Sequence, residues 1–177
     1  AQDDAAQVKR NLEILDRAAE ALAAGESVGV FPEGKSHDEL CVAEVKSGAA
    51  RMAQKAVTLG ARLTLVPIGM NFERKEGFRT ALWIQIGKPL DVAAFLEAYP
   101  HEKQGQRALT QEIASRLREV ALHLDDTRLA PLLEELEFLV PAPGLKSRGP
   151  LGRLQSRKRV ADALNHFYAT DRPRAGA

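Results

Sequence analysis

A cluster of polar residues follows a short apolar run near the start of the chain. Val28-Gly29-Val30-Phe31 gives way at Pro32 to Glu33, Gly34, Lys35, Ser36, His37 and Asp38. The chemistry open to this set is the binding of a polar or anionic ligand. Gly34 permits close backbone approach and a positive φ. Lys35, Ser36 and His37 offer donors, while Glu33 can accept from a hydroxyl or fix a neighbouring cation. Lys46 stands just before an expected helix, where free N–H groups and the dipole favour anions. A phosphate-bearing ligand fits these groups. So does an ordinary polar turn between strand and helix, since loops are rich in the same residues.

Other chemistries find less support. A single cysteine, Cys41, excludes an internal disulfide and a cysteine-based metal site within one chain. It reads as a buried or incidental thiol, because no histidine stands near it in a recognisable thiol-enzyme pattern. No metal set and no cofactor are expected. His101 and His123 read as ordinary surface or helix positions. The net charge of +1 does not call for nucleic acid, so any basic function must be local. No apolar run approaches the ~18 residues that span a bilayer, and no signal peptide is visible.

The elements that must position the polar cluster follow from periodicity. The chain has 177 residues, of which 45% are hydrophobic and 28% charged, enough for an ordinary globular core. Val8, Leu12, Leu15, Ala19 and Leu22 share a face and predict a helix over 4–24, stopped by Gly25. Val28–Phe31 reads as a buried strand ended by Pro32. Ser47 and Gly60 bracket a second helix, 47–59. Leu63–Gly69 reads as another buried strand, with Pro67 marking an end or bulge, and Ala81–Ile86 as a third. Asp91 caps a short helix to about Ala98. The order predicts an α/β fold: a mixed, mainly parallel sheet flanked by helices, the first two strands joined by a parallel crossover.

Beyond residue 98 the chain reads as helical. Leu109, Ile113, Leu117, Val120 and Leu124 form one stripe within 104–138, with Pro131 breaking it or marking a first turn. The stretch 141–152 is a Pro/Gly-rich connector, and a last helix covers about 152–169. Three divisions result: an α/β part over 1–98, a helical extension over 99–140, and a basic linker with terminal helix over 141–177. Lys146, Arg148, Arg153, Arg157, Lys158 and Arg159 crowd the last of these. Such a segment can rest on an anionic membrane surface. It can equally be a solvated linker and helix face.

The motif FPEGKSHD resembles the third conserved block of the phospholipid and glycerol acyltransferase family. It is closest to the F-P-E-G-x-S-H-D form of the glycerol-3-phosphate acyltransferase branch. KSGAARMA (46–53), LVPI (65–68), Phe78-Arg79 and IGKPL (86–90) are similar to the family segments that follow, in the right order. The resemblance covers roughly residues 5–95. It implies transfer of an acyl group from acyl-CoA or acyl-carrier protein to a glycerol-phosphate acceptor, on the cytoplasmic face of a membrane. By position it implies substrate-binding roles for Glu33, Gly34, Lys35, Ser36, His37 and Lys46, and acyl placement for Pro67. Ser36 stands where many members have arginine, so Lys35, His37, Lys46 or Arg51 must supply that charge. The family's catalytic H-x4-D block precedes FPEG, and residues 1–30 hold no histidine. The resemblance therefore implies an incomplete acyltransferase domain, inactive alone. His166 and Asp171 have the H-x4-D spacing but lie on the wrong side of FPEG, and are taken as chance.

Overall fold

The computed structural model describes residues 2–75, 77–139 and 149–170. In chain order the elements are α1 (Gln2–Ala23), α2 (Gly48–Thr58), β1 (Thr64–Leu65), β2 (Ile68–Phe72), β3 (Leu82–Ile86), β4 (Leu90–Asp91), α3 (Val92–Leu96), α4 (Glu102–Val120), a 3-10 turn (Thr127–Leu129), α5 (Ala130–Leu139) and α6 (Gly149–Thr170). They form two compact units. The first comprises Ala1–Ser36, Glu44–Pro67 and Lys88–Arg116; the second comprises His37–Ala43, Ile68–Gly87 and Leu117–Ala177.

In the first unit, α1 packs on α2. Ala19, Met52 and Ala56 are buried together, with Leu15, Leu22, Ala61 and Leu63 around them. The small residues of α2 serve this close approach. Asp16 and Lys55 add an ion pair at 2.8 Å, half exposed and therefore of small worth. Both helices stop where glycine takes a left-handed conformation, Gly25 at φ 90° and Gly60 at φ 94°. Ser47 occupies the N-cap position of α2, but its side chain makes no capping hydrogen bond. The Asp91 carboxylate does cap α3, accepting from the Ala94 N–H at 3.1 Å.

In the second unit, Leu124, Leu129, Leu133, Ala161 and Leu164 form the core, with Leu40, Leu136 and Val160 packed against it. The hairpin β2–β3 has Ile68 opposite Ile86 and Met70 opposite Ile84. Gly69 and Asn71 on its other face are buried, while Ile68, Met70, Leu82, Ile84 and Ile86 remain exposed. Five apolar side chains on one sheet face are far more than scattered surface residues.

Several expectations need correction. The chain is mixed α/β, but among the described residues the sheets are two antiparallel pairs, β1 with β4 and β2 with β3, and the expected mainly parallel sheet is not seen there. Val28–Phe31 joins no ladder among the described residues, and Phe31 is 84% exposed. A strand exists only in a pair, and no described segment pairs with it. The expected strand 63–69 is split, because Pro67 has no N–H to give a ladder. The expected long helix breaks at 121–126, and Pro131 lies in the first turn of α5. Of the connector, 141–148 lie outside the described residues, whereas 149–152 are already helical in α6.

Candidate functional site

The polar cluster begins with a tight turn in the first unit. The Gly34 N–H donates to the Phe31 carbonyl at 3.2 Å. Pro32 therefore occupies the second position of a four-residue turn, where its fixed φ is pre-set. Gly34 takes φ 69°. A Cβ there would only touch Lys46 Cγ at 3.9 Å, so the demand for glycine is conformational rather than spatial.

The turn is tied to the entrance of α2. The Lys46 N–H donates to the Pro32 carbonyl at 2.8 Å. This single bond spans 14 residues and sets Lys46 beside Pro32 and Gly34. The Lys46 ammonium pairs with the Glu44 carboxylate. Glu44 is held below the usual carboxylate range first by Lys46, with a further contribution from Lys35. Of the two lysines, Lys46 is the one in contact with this acid. Lys35, Ser36 and Lys46 are exposed, Glu33 is half-buried, and Arg51 is exposed in the first turn of α2. Pro67 is buried at the end of the first unit's β1 segment. The arrangement offers two exposed lysines and a turn of fixed backbone to an anion from solvent, with Glu44 as the resident competitor on Lys46. Sequence reasoning missed Glu44. The signal available was an acid two residues from the helix-leading lysine.

His37 belongs to the second unit, where Lys75 Nζ donates to its carbonyl. The same unit holds two residues whose roles the sequence concealed. Asn71 Nδ2 donates to the Val120 carbonyl at 3.0 Å, and its Oδ1 accepts from the Leu122 N–H at 2.6 Å. His123, expected as a surface or helix residue, is buried. Its Nδ1 accepts from the Val42 N–H at 2.9 Å, so Nε2 carries the proton and faces Asp125 at 3.1 Å. Burial pushes the imidazole below its ordinary value, and Asp125 opposes this only in part.

The basic row of α6 is not a continuous solvent face. Arg153 pairs with Glu73 at 2.5 Å, and Arg157 approaches Glu134 at 3.9 Å. Lys158 is buried, with Asp162 at 3.0 Å and the Arg118 carbonyl at 3.4 Å. Lys146, Arg148 and Asp171 lie outside the described residues, and His166 is exposed in α6. No helix among the described residues is long and apolar enough to cross a membrane.

Residues 4–71 match the family model described as Acyltransferase, so this part of the chain is similar to that family. The match contains the FPEG turn, Lys46 and the Val66-Pro67-Ile68 segment. Among curated relatives, the chain is 31% identical over 102 residues to glycerol-3-phosphate O-acyltransferase 1 of Saccharomyces cerevisiae, covering 56% of this chain and 13% of that protein. It is 36% identical over 67 residues to glycerol-3-phosphate O-acyltransferase 2 of the same yeast, covering 37% of this chain and 9% of that protein. An uncharacterised acyltransferase of Schizosaccharomyces pombe is 33% identical over 86 residues, covering 47% and 13%. The chain thus spans about an eighth of the length of the first of these relatives. No solved structure matches it.

Proposed function

We propose that this chain supplies the acceptor-binding part of an acyltransferase that moves a fatty acyl group from acyl-CoA or acyl-carrier protein to a glycerol-3-phosphate-type acceptor, in phospholipid biosynthesis. The observation that carries the reading is the bond from Lys46 N–H to the Pro32 carbonyl, which sets Lys46, with its partner Glu44, at the FPEG turn. On binding, the acceptor phosphate displaces the Glu44 carboxylate from Lys46. Ser36 adds a hydroxyl, and Glu33 accepts from a glycerol hydroxyl. Pro67 helps to place the acyl chain. The enzyme works at the cytoplasmic face of a membrane, either peripheral or anchored through parts outside this chain.

The reaction needs a base. The acceptor hydroxyl attacks the thioester carbonyl, its proton passes to a general base, and the thiolate leaves and is reprotonated. In this reading the base is the histidine of an H-x4-D pair encoded upstream, so this chain alone should not turn over. The coding sequence some tens of residues before Ala1 checks that directly. In the complete enzyme, Glu33→Ala should lower acyl transfer at least tenfold, roughly the worth of one hydrogen bond to a charged group. Unchanged transfer would remove Glu33 from the site. If the upstream stretch lacks H-x4-D, a non-catalytic phosphate- or lipid-binding domain on the same scaffold becomes the better reading, because residues 1–30 hold no histidine to replace it.

A further inference from the structure

His37, Glu39 and Cys41 bring three different donor atoms together in the second unit. An imidazole nitrogen, a carboxylate oxygen and the thiol sulfur all lie within 4.8 Å of one another. Cys41 Sγ is 3.5 Å from Glu39 Oε2. The intervening chain is held firmly. Leu40 packs against the core, its carbonyl accepts from the Leu124 N–H at 2.8 Å, and the Val42 N–H donates to His123. Anchoring at 40 and 42 gathers the side chains of 37, 39 and 41 beyond the anchored backbone, where their rotamers can converge.

We propose that His37, Glu39 and Cys41 form a binding site for a divalent, thiol-seeking cation, with Zn²⁺ as the best fit. The sulfur, nitrogen and oxygen set suits a borderline-soft ion, and three protein ligands with one open position is a recurrent zinc arrangement. Zinc distances of about 2.0–2.3 Å put tetrahedral ligand atoms roughly 3.4–3.7 Å apart. The present separations close to that by side-chain rotation of about 1 Å. Access is open: Glu39 lines a cleft of about 800 Å³ with Asp38, Glu73 and Glu134, countered by Arg74 and Arg157. Lys75 is occupied at the His37 carbonyl. The single cysteine, which excludes a cysteine-based set, is enough for a mixed one. This inference stands apart from the acyl-transfer reading, and it withdraws His37 from the acceptor-binding set.

Titration of the whole chain with Zn²⁺ against a chromophoric chelator tests it. One ion should bind per chain. Cys41→Ser and His37→Gln should each weaken binding at least about tenfold, Glu39→Gln should weaken it less, and His166→Gln should leave it unchanged. With Co²⁺, the wild-type chain should show a thiolate charge-transfer band that Cys41→Ser lacks. Circular dichroism of each variant separates lost ligands from lost folding. Absent stoichiometric binding, or an affinity that Cys41→Ser leaves intact, overturns the site, as does loss of binding in His166→Gln.

Discussion

The turn at Phe31–Gly34 and the junction of β2 with the end of α4 are built on different terms. The turn is exposed, and its shape comes from backbone preferences: Pro32 fixes one torsion, Gly34 supplies a left-handed one, and a main-chain bond to Lys46 closes it. The junction is buried, and its shape comes from fit. A Cβ on Gly69 would stand 2.1 Å from the Val120 carbonyl oxygen, and the Asn71 amide takes both the Val120 carbonyl and the Leu122 N–H. The first region is held by its main chain. The second spends its side chains on holding the chain. Substitutions should therefore cost binding in the turn and stability at the junction.

The largest effect expected is at Gly69. Gly69→Ala forces backbone apart from backbone, and should destabilise the second unit by roughly 3 kcal/mol, at the top of the usual overpacking range. Urea unfolding followed by the fluorescence of Trp83, in β3, reads this directly; an unchanged midpoint would mean the junction is loose. Next comes Asn71→Ala, which strands one buried carbonyl and one N–H. A loss of about 2 kcal/mol is expected by the same measurement.

A smaller effect comes from His123. Its neutral form is needed, because Nδ1 accepts from Val42. Burial lowers its pKa in the folded chain, so the unfolded chain binds the proton more readily. The stabilisation is complete above the ordinary value of about 6.5 and is lost as pH falls through that value toward the lowered folded one, with a slope of at most about 1.4 kcal/mol per pH unit. Unfolding midpoints between pH 7.5 and 5 should show this slope, and His123→Gln should flatten it. The smallest stability effects belong to Lys35→Gln, Lys46→Gln and Glu44→Gln. All three sites are exposed, and their melting temperatures should stay with the parent chain.

How much of this was legible follows the same division. The turn could be read from Pro32, Glu33 and Gly34 because turn chemistry is local. The apolar stripes of α1 and α4 were legible through their spacing, as was the interruption at Pro67. The junction was not. The break at 121–126 depends on Asn71 and Leu40, whose partners lie some 50 to 84 residues away in sequence. Nothing local marks Leu122-His123-Leu124 as anything but more helix. The run Val28–Phe31 failed for a related reason: its composition speaks for a strand, but pairing is decided by a neighbour that no described segment provides. Glu44 was overlooked because a carboxylate argues against an anion site until its pairing with Lys46 is seen.

The central claim is that the FPEG turn and Lys46 receive the phosphate of a small acceptor. Calorimetric titration of this chain with glycerol-3-phosphate, with glycerol as control, tests it most directly. The account predicts saturable binding of glycerol-3-phosphate alone, weakened roughly tenfold by Lys46→Gln and strengthened by Glu44→Gln, with no change in melting temperature. Absence of saturable binding, or an affinity indifferent to both substitutions, would contradict it.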